Sequence, residues 1–216
     1  MKALYTALYT ALFLVFATTA FSQNKNEAKQ YLTKAKQAIE KHENQYLEFE
    51  YAMDRPSANG KKTISYDGKL TVAGEKYRLE MNGFEYLSDG KKMYIISHDD
   101  EEVTSTELGE SNEAPITPSA ILNGFEKGYS YKLAGTEKIG GRTVQYIILK
   151  PNVSEEIREI TIGIFTDDYT VHSFQRMGLN NVDIRFTVKQ SQWNVKLQPN
   201  YLTFVASDFS DYEIFD

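Results

Sequence analysis

The sequence predicts a mainly β fold with a few helices: a single domain built as a curved antiparallel sheet or incomplete, unclosed antiparallel β-barrel. Three observations carry that expectation. From Leu47 to Val188, segment after segment alternates apolar with polar residues, the pattern of strands with one dry and one wet face. Roughly ten such segments follow one another, too many for a flat sheet to hold without curling. The aromatic residues, 15 Tyr and 12 Phe against one Trp, suit pleated surfaces.

The first 22 residues are expected to stand outside this domain. Met1-Lys2 gives a small positive start, Leu4 to Ala20 is an apolar run, and Ala20-Phe21-Ser22 places small residues at both specificity positions of a cleavage site. Residues 1–22 are therefore a predicted signal peptide, with an uncleaved anchor as the other reading, and residues 23–216 the domain. The protein is thus expected to be exported. A formal charge of −6 without a basic run disfavours nucleic acid as a partner. The lack of cysteine excludes disulfides, thiol catalysis and Cys-based zinc sites.

Asn24 to about Glu43 predicts a helix, because Ala28, Tyr31, Leu32, Ala35 and Ile39 share a face opposite a set of lysines. Strands follow. Leu47, Phe49, Tyr51 and Met53 share one parity, as do Ile64, Tyr66, Gly68, Leu70 and Val72, where Gly68 suggests a bend or bulge. Tyr77, Leu79 and Met81 form the next strand, ending in an Asn82-Gly83 turn. Tyr86 to Ser88 and Met93 to Ser97 flank Asp89-Gly90, a type I′ hairpin signal. Val103 to Leu108 is a weaker strand.

Gly109 to Pro118 lacks alternation, and Thr117-Pro118 opens a short helix carrying Ile121, Leu122 and Phe125 and stopping near Gly128. That helix could serve as a lid or as a plain core cover. Strands resume at 129–133, 143–149, 159–165 and 170–177. Val182, Ile184, Phe186 and Val188 alternate in the next, and Leu202, Phe204 and Ala206 close the series.

No catalytic or metal site emerges, and no cofactor is expected. His42, His98 and His172 have no ligand spacing, and neither a Gly-x-Ser-x-Gly elbow nor a phosphate-binding loop is present. The acidic turns 98–102 and 167–168 lack the alternating oxygen ligands and glycine of an EF-hand. The apolar parity has two readings: a packed core, or a cavity wall lined by adaptable side chains such as Met53, Met81 and Met93.

Gly68-Lys69-Leu70-x-Val72, Tyr77-Arg78-Leu79-Glu80 and Leu87-Ser88-Asp89-Gly90-Lys91-x-x-Tyr94, followed by Thr117-Pro118-x-x-Ile121-Leu122, resemble the periplasmic outer-membrane lipoprotein carrier family, LolA. Ile160-Thr161-Ile162, Val171-His172-Ser173-Phe174 and Leu202-Thr203-Phe204 fall in the family's order. The resemblance implies an incomplete barrel covered by a helical lid over a hydrophobic cavity. It also implies a monomeric, non-enzymatic carrier that takes lipoproteins from an inner-membrane ABC-type releasing complex to an outer-membrane acceptor. The acyl chains would lie on Leu47, Phe49, Tyr51, Leu70, Val72, Tyr77, Leu79, Met81, Met93, Ile95, Ile160, Ile162, Ile184 and Phe186, under a lid carrying Ile121, Leu122 and Phe125. A lipid- or lipoprotein-sensing envelope regulator and a hydrolase of an amphiphile stand as the other readings. The chain departs from the family after Val72, where Ala73-Gly74-Glu75-Lys76 replaces a frequent Arg-Pro pair whose arginine helps latch the lid. A second departure is Tyr94, where Trp is frequent.

Overall fold

The structure is a computed structural model that describes residues 24, 26–107, 117, 122, 125, 128–154 and 156–215. The expected signal peptide, Ile121 and nearly all of 108–127 lie outside the described residues. Helix α1 spans 26–40 and buries Ala28, Leu32 and Ala35, the face that its periodicity predicts. It ends a few residues short of Glu43, where Lys41 N donates to Gln37 O and His42 N closes on Ile39 O.

The strands are β1 Gln45–Ser57, β2 Gly60–Ala73, β3 Lys76–Met81, β4 Phe84–Ser88, β5 Lys92–Ser97 and β6 Glu102–Glu107, then β7 Tyr129–Ile139, β8 Arg142–Pro151, β9 Ile157–Phe165, β10 Val171–Gly178, β11 Asp183–Trp193 and β12 Glu213–Phe215. All twelve form one sheet in the order β12-β6-β5-β4-β3-β2-β1-β11-β10-β9-β8-β7. Two meanders, β1 to β6 and β7 to β11, thus meet where β1 pairs with β11. The outermost strands do not pair with each other, so the sheet is unclosed. Every neighbouring pair is antiparallel except β12 on β6, which is parallel and departs from the all-antiparallel expectation.

Other local expectations also change. Leu202, Phe204 and Ala206 do not form a strand. Turn bonds from Tyr201 N to Gln198 O and Thr203 N to Asn200 O occupy the backbone, and Ala206–Phe209 is a short 3-10 helix. Their alternation serves packing, with Leu202 buried and Phe204 stacked on Tyr94 at 4.2 Å. The type I′ geometry belongs to Asn82-Gly83, both at positive φ (54° and 80°) between paired Met81 and Phe84. At Asp89-Gly90 only the glycine has positive φ, and the Asp89 carboxylate instead accepts from Lys91 N and Lys92 N at 2.8 and 2.9 Å. Gly68 pairs with Phe49 without a bulge in the β1–β2 ladder. A Cβ there would meet the Phe49 ring at 2.4 Å, so the glycine makes room for an aromatic ring.

Three apolar clusters result. One joins α1, Leu122 and Phe125 to β8 and β9 through Ile147, Leu149, Ile160, Ile162 and Ile164. The second consists, among the described residues, of strand residues alone and is centred on Leu47, Leu70 and Phe186. The third lies on the opposite face of β4–β6, where Leu87, Ile96 and Val103 receive Phe204, Phe209 and Tyr212 from the chain's C-terminal segment.

Candidate functional site

Strand register turns the sequence parity into rows that cross the sheet. Leu47, Leu70, Leu79, Tyr86 and Ile95 sit opposite one another from β1 to β5. Val72, Tyr77, Ser88 and Met93 form the neighbouring row, in which the Tyr77 hydroxyl donates to Met93 Sδ at 3.2 Å. Another row runs Tyr66, Tyr51, Phe186, Phe174, Ile162, Ile147 and Leu133. Phe49 stacks on Phe186 with ring centroids 4.3 Å apart, which ties the two meanders together across the β1–β11 seam.

The structure brings Leu47, Phe49, Leu70, Val72, Tyr77, Leu79, Met93 and Phe186 into one buried cluster, with Tyr51, Met81 and Ile95 half-buried against it. It places Ile160 and Ile162 elsewhere, in the cluster capped by α1, where Leu122 and Phe125 also lie. Ile184 is half-buried on the same face but belongs to neither cluster. Phe174 packs against both clusters and stacks on Phe125 at 6.3 Å, so it joins the two halves. Sequence reasoning assigned no face to β10 and so missed Phe174 and Arg176. Their spacing of two residues was the signal, and register with Phe186 and Ile184 puts both on this face.

The opposite face is charged. Asp54 is buried but fully engaged: it accepts from Thr63 Oγ1 at 2.6 Å and pairs with Lys61 Nζ at 2.7 Å and Arg185 Nη1 at 2.9 Å. The hydrogen bond from Lys61, then that from Thr63, holds its pKa below the ordinary value. Glu85 is buried between Arg78 at 3.4 Å and His98 at 3.7 Å, and burial pushes its pKa up, against the pull of the Arg78 guanidinium. Arg78 also lies over the Tyr201 ring, 4.7 Å from its centroid, so it secures the C-terminal segment on the face away from the apolar rows. Tyr94 faces the same way, onto Phe204. A hollow of about 610 Å³ near the β3–β4 turn is lined largely by charged side chains of this face, among them Glu48, Lys69 and Glu80.

Among the described residues, the polar groups at His172, Asp167 and Asp168 are each engaged in packing or ion pairing. His172 packs against Phe165 at 5.2 Å, and burial lowers its pKa. Asp167 and Asp168 clamp Arg142 at 2.5 and 2.6 Å. Among the described residues no group of three or more His, Asp or Glu side chains could hold a metal ion. What the arrangement offers, among the described residues, is a broad buried apolar layer on one face of an open sheet.

No family model matches the chain, and no curated protein matches it. Among solved structures it is similar to an uncharacterized conserved protein from Thermus thermophilus, at 9% identity and TM-score 0.59, over 87% of this chain and 98% of that one. Structural neighbours also include a LolA superfamily protein from Nitrosomonas europaea, at 9% identity and TM-score 0.42, over 82% and 97% of the two chains. The lipoprotein LppX of Mycobacterium tuberculosis is similar at 14% identity and TM-score 0.48, over 78% and 96%. The likeness to the Thermus chain shows a shared fold.

Proposed function

We propose that the protein is a periplasmic carrier that holds acyl chains of lipoproteins against the apolar face of the sheet and moves them from the inner to the outer membrane. The observation that carries this reading is the strand-only cluster around Leu47, Leu70, Leu79 and Phe186. Among the described residues it is a wide, buried apolar layer built from strands alone on an open sheet, and no residue of α1 belongs to it. A sheet that needed only a core would use the same helix-on-sheet packing throughout, as the neighbouring cluster does. The order of motifs from Gly68 to Phe204 supports the same assignment. In this reading residues 1–22 are a cleaved signal peptide, Leu122 and Phe125 belong to a lid, and the partners are an inner-membrane releasing complex and an outer-membrane acceptor.

Energetics constrain how the cargo is held. Burying one methylene gives about 0.8 kcal/mol, so a 16-carbon chain could contribute on the order of 12 kcal/mol, roughly nanomolar binding before ordering costs. Complete burial of several chains would prevent delivery. The wall therefore shields acyl chains in part and releases them.

The test is release of lipoproteins from inner-membrane vesicles that contain the releasing complex and ATP. A carrier yields a soluble one-to-one complex with lipoprotein. Lipoprotein that stays on the vesicles while the protein binds a membrane-anchored regulator would replace the carrier reading with a sensor.

A further inference from the structure

One charge stands in the apolar rows. Ile64, Met53, Ile184, Arg176, Ile160, Leu149 and Tyr131 face one another in register from β2 across to β7, and six of the seven are apolar or aromatic. Arg176 follows Phe174 by two residues, so its side chain leaves the same face as Phe174 and Phe186. Its Nε is shut off from solvent and donates no hydrogen bond. Among the described residues no carboxylate pairs with it, and its charge instead bears on the Tyr51 phenol.

The arginines of the other face and the turns are differently placed. Arg185 pairs with Asp54 at 2.9 Å, Arg78 with Glu85 at 3.4 Å, Arg158 with Asp183 at 3.9 Å and Arg142 with Asp167 and Asp168. Arg176 is half-buried with its Nε withdrawn from solvent. A charge drawn out of water without an anion is costly, and a bound anion lowers that cost by bidentate, charge-assisted hydrogen bonds. Position adds to this. Arg176 lies just before the β10–β11 turn, at one end of the face. From its row the apolar track runs through Tyr51 and Phe186, then Phe49, to Leu47, six residues along β1 from Met53 and so about 20 Å away. That length suits an extended long-chain acyl group with its head at Arg176.

We propose that this face takes an anionic amphiphile, whose carboxylate or phosphate head pairs with the Arg176 guanidinium while its chain lies along Tyr51, Phe186 and Phe49. The proposal rests on the acyl-binding reading of the same face and narrows it to ligands with a negative head. A neutral glyceride head leaves the guanidinium unpaired.

Calorimetric titration of the protein with palmitate, 1-monopalmitoylglycerol and inorganic phosphate tests it. Palmitate is expected to bind about tenfold or more tightly than the glyceride, and phosphate alone far more weakly than palmitate. Arg176→Gln removes the preference for palmitate over the glyceride, and Arg176→Lys retains part of it. Equal affinity for the two lipids in the unmodified protein overturns the proposal, whether or not the variants fold. So does a preference that survives Arg176→Gln, or phosphate binding as tight as palmitate, which would mean a site for the free anion. Binding of neither lipid overturns the acyl-binding reading itself, and this inference with it.

Discussion

The two halves of the apolar face are built differently. Under α1, branched aliphatic residues of β8 and β9 meet alanines and a leucine of the helix, and Ile147, Leu149, Ile162 and Ile164 are wholly buried. Across the β1–β11 seam Leu47, Leu70, Val72 and Leu79 are joined by the long or aromatic side chains of Phe49, Tyr77, Met93 and Phe186, and among the described residues strands alone contribute them. Stiff β-branched side chains lock a helix onto a sheet, whereas rings and thioethers can shift to accommodate a guest. Both halves are buried. In the proposed reading the first half holds the fold and the second takes the guest.

Substitution separates the halves. Ile162→Ala, under the helix, is expected to cost about 2–5 kcal/mol, measured by denaturant unfolding. Leu79→Ala, in the strand-only wall, should cost less, because its surroundings can relax into the space. Equal losses would make the face one continuous core. Next, Leu79→Glu should abolish acyl binding while circular dichroism still reports a folded sheet, and undiminished lipoprotein capture by this variant would contradict the assignment. On the far side, Phe204→Ala should lower stability by about 1–3 kcal/mol through loss of its stacking on Tyr94, with acyl affinity untouched.

The smallest effect is a pH dependence. The folded-state pKa of Asp54 lies below its unfolded value. Its stabilisation is therefore complete above about pH 4 and is lost as pH falls through the lower folded value. Thermal melts of the native protein should steepen their decline in that acidic window, and Asp54→Asn should flatten it without changing acyl affinity.

Much of this architecture was legible in the sequence, for physical reasons. Period-two alternation survives wherever one face is buried, so β1, β2, β3 and β11 stand out, and the period of Ala28, Leu32 and Ala35 marks α1. Alternation alone does not say whether a segment finds a ladder partner. Leu202 and Phe204 alternate without a ladder partner, Leu202 being buried and Phe204 packing on the outer side of β4–β6, and β12 is too short to carry a pattern. A dipeptide does not fix turn geometry either: Asp89 bonds the following amides with its side chain, while Asn82-Gly83 adopts the doubly left-handed turn. The candidate wall was legible as parity within β1 to β5. Its division into two halves was not, because Ile160 and Ile162 look like Leu70 and Val72 in sequence and differ only in having α1 above them. Arg176 shares its parity with Phe174 in sequence, but which face that parity takes is settled only by register with Ile184 and Ile160.

The most direct test of the strand-only wall as a binding surface is native mass spectrometry of the protein purified from the compartment in which it accumulates. Binding predicts a second mass series that carries acylated species, lost in Leu79→Glu and retained in Phe204→Ala. A single series at the bare protein mass, unchanged when lipid or acylated peptide is added, would contradict it and leave the wall as core.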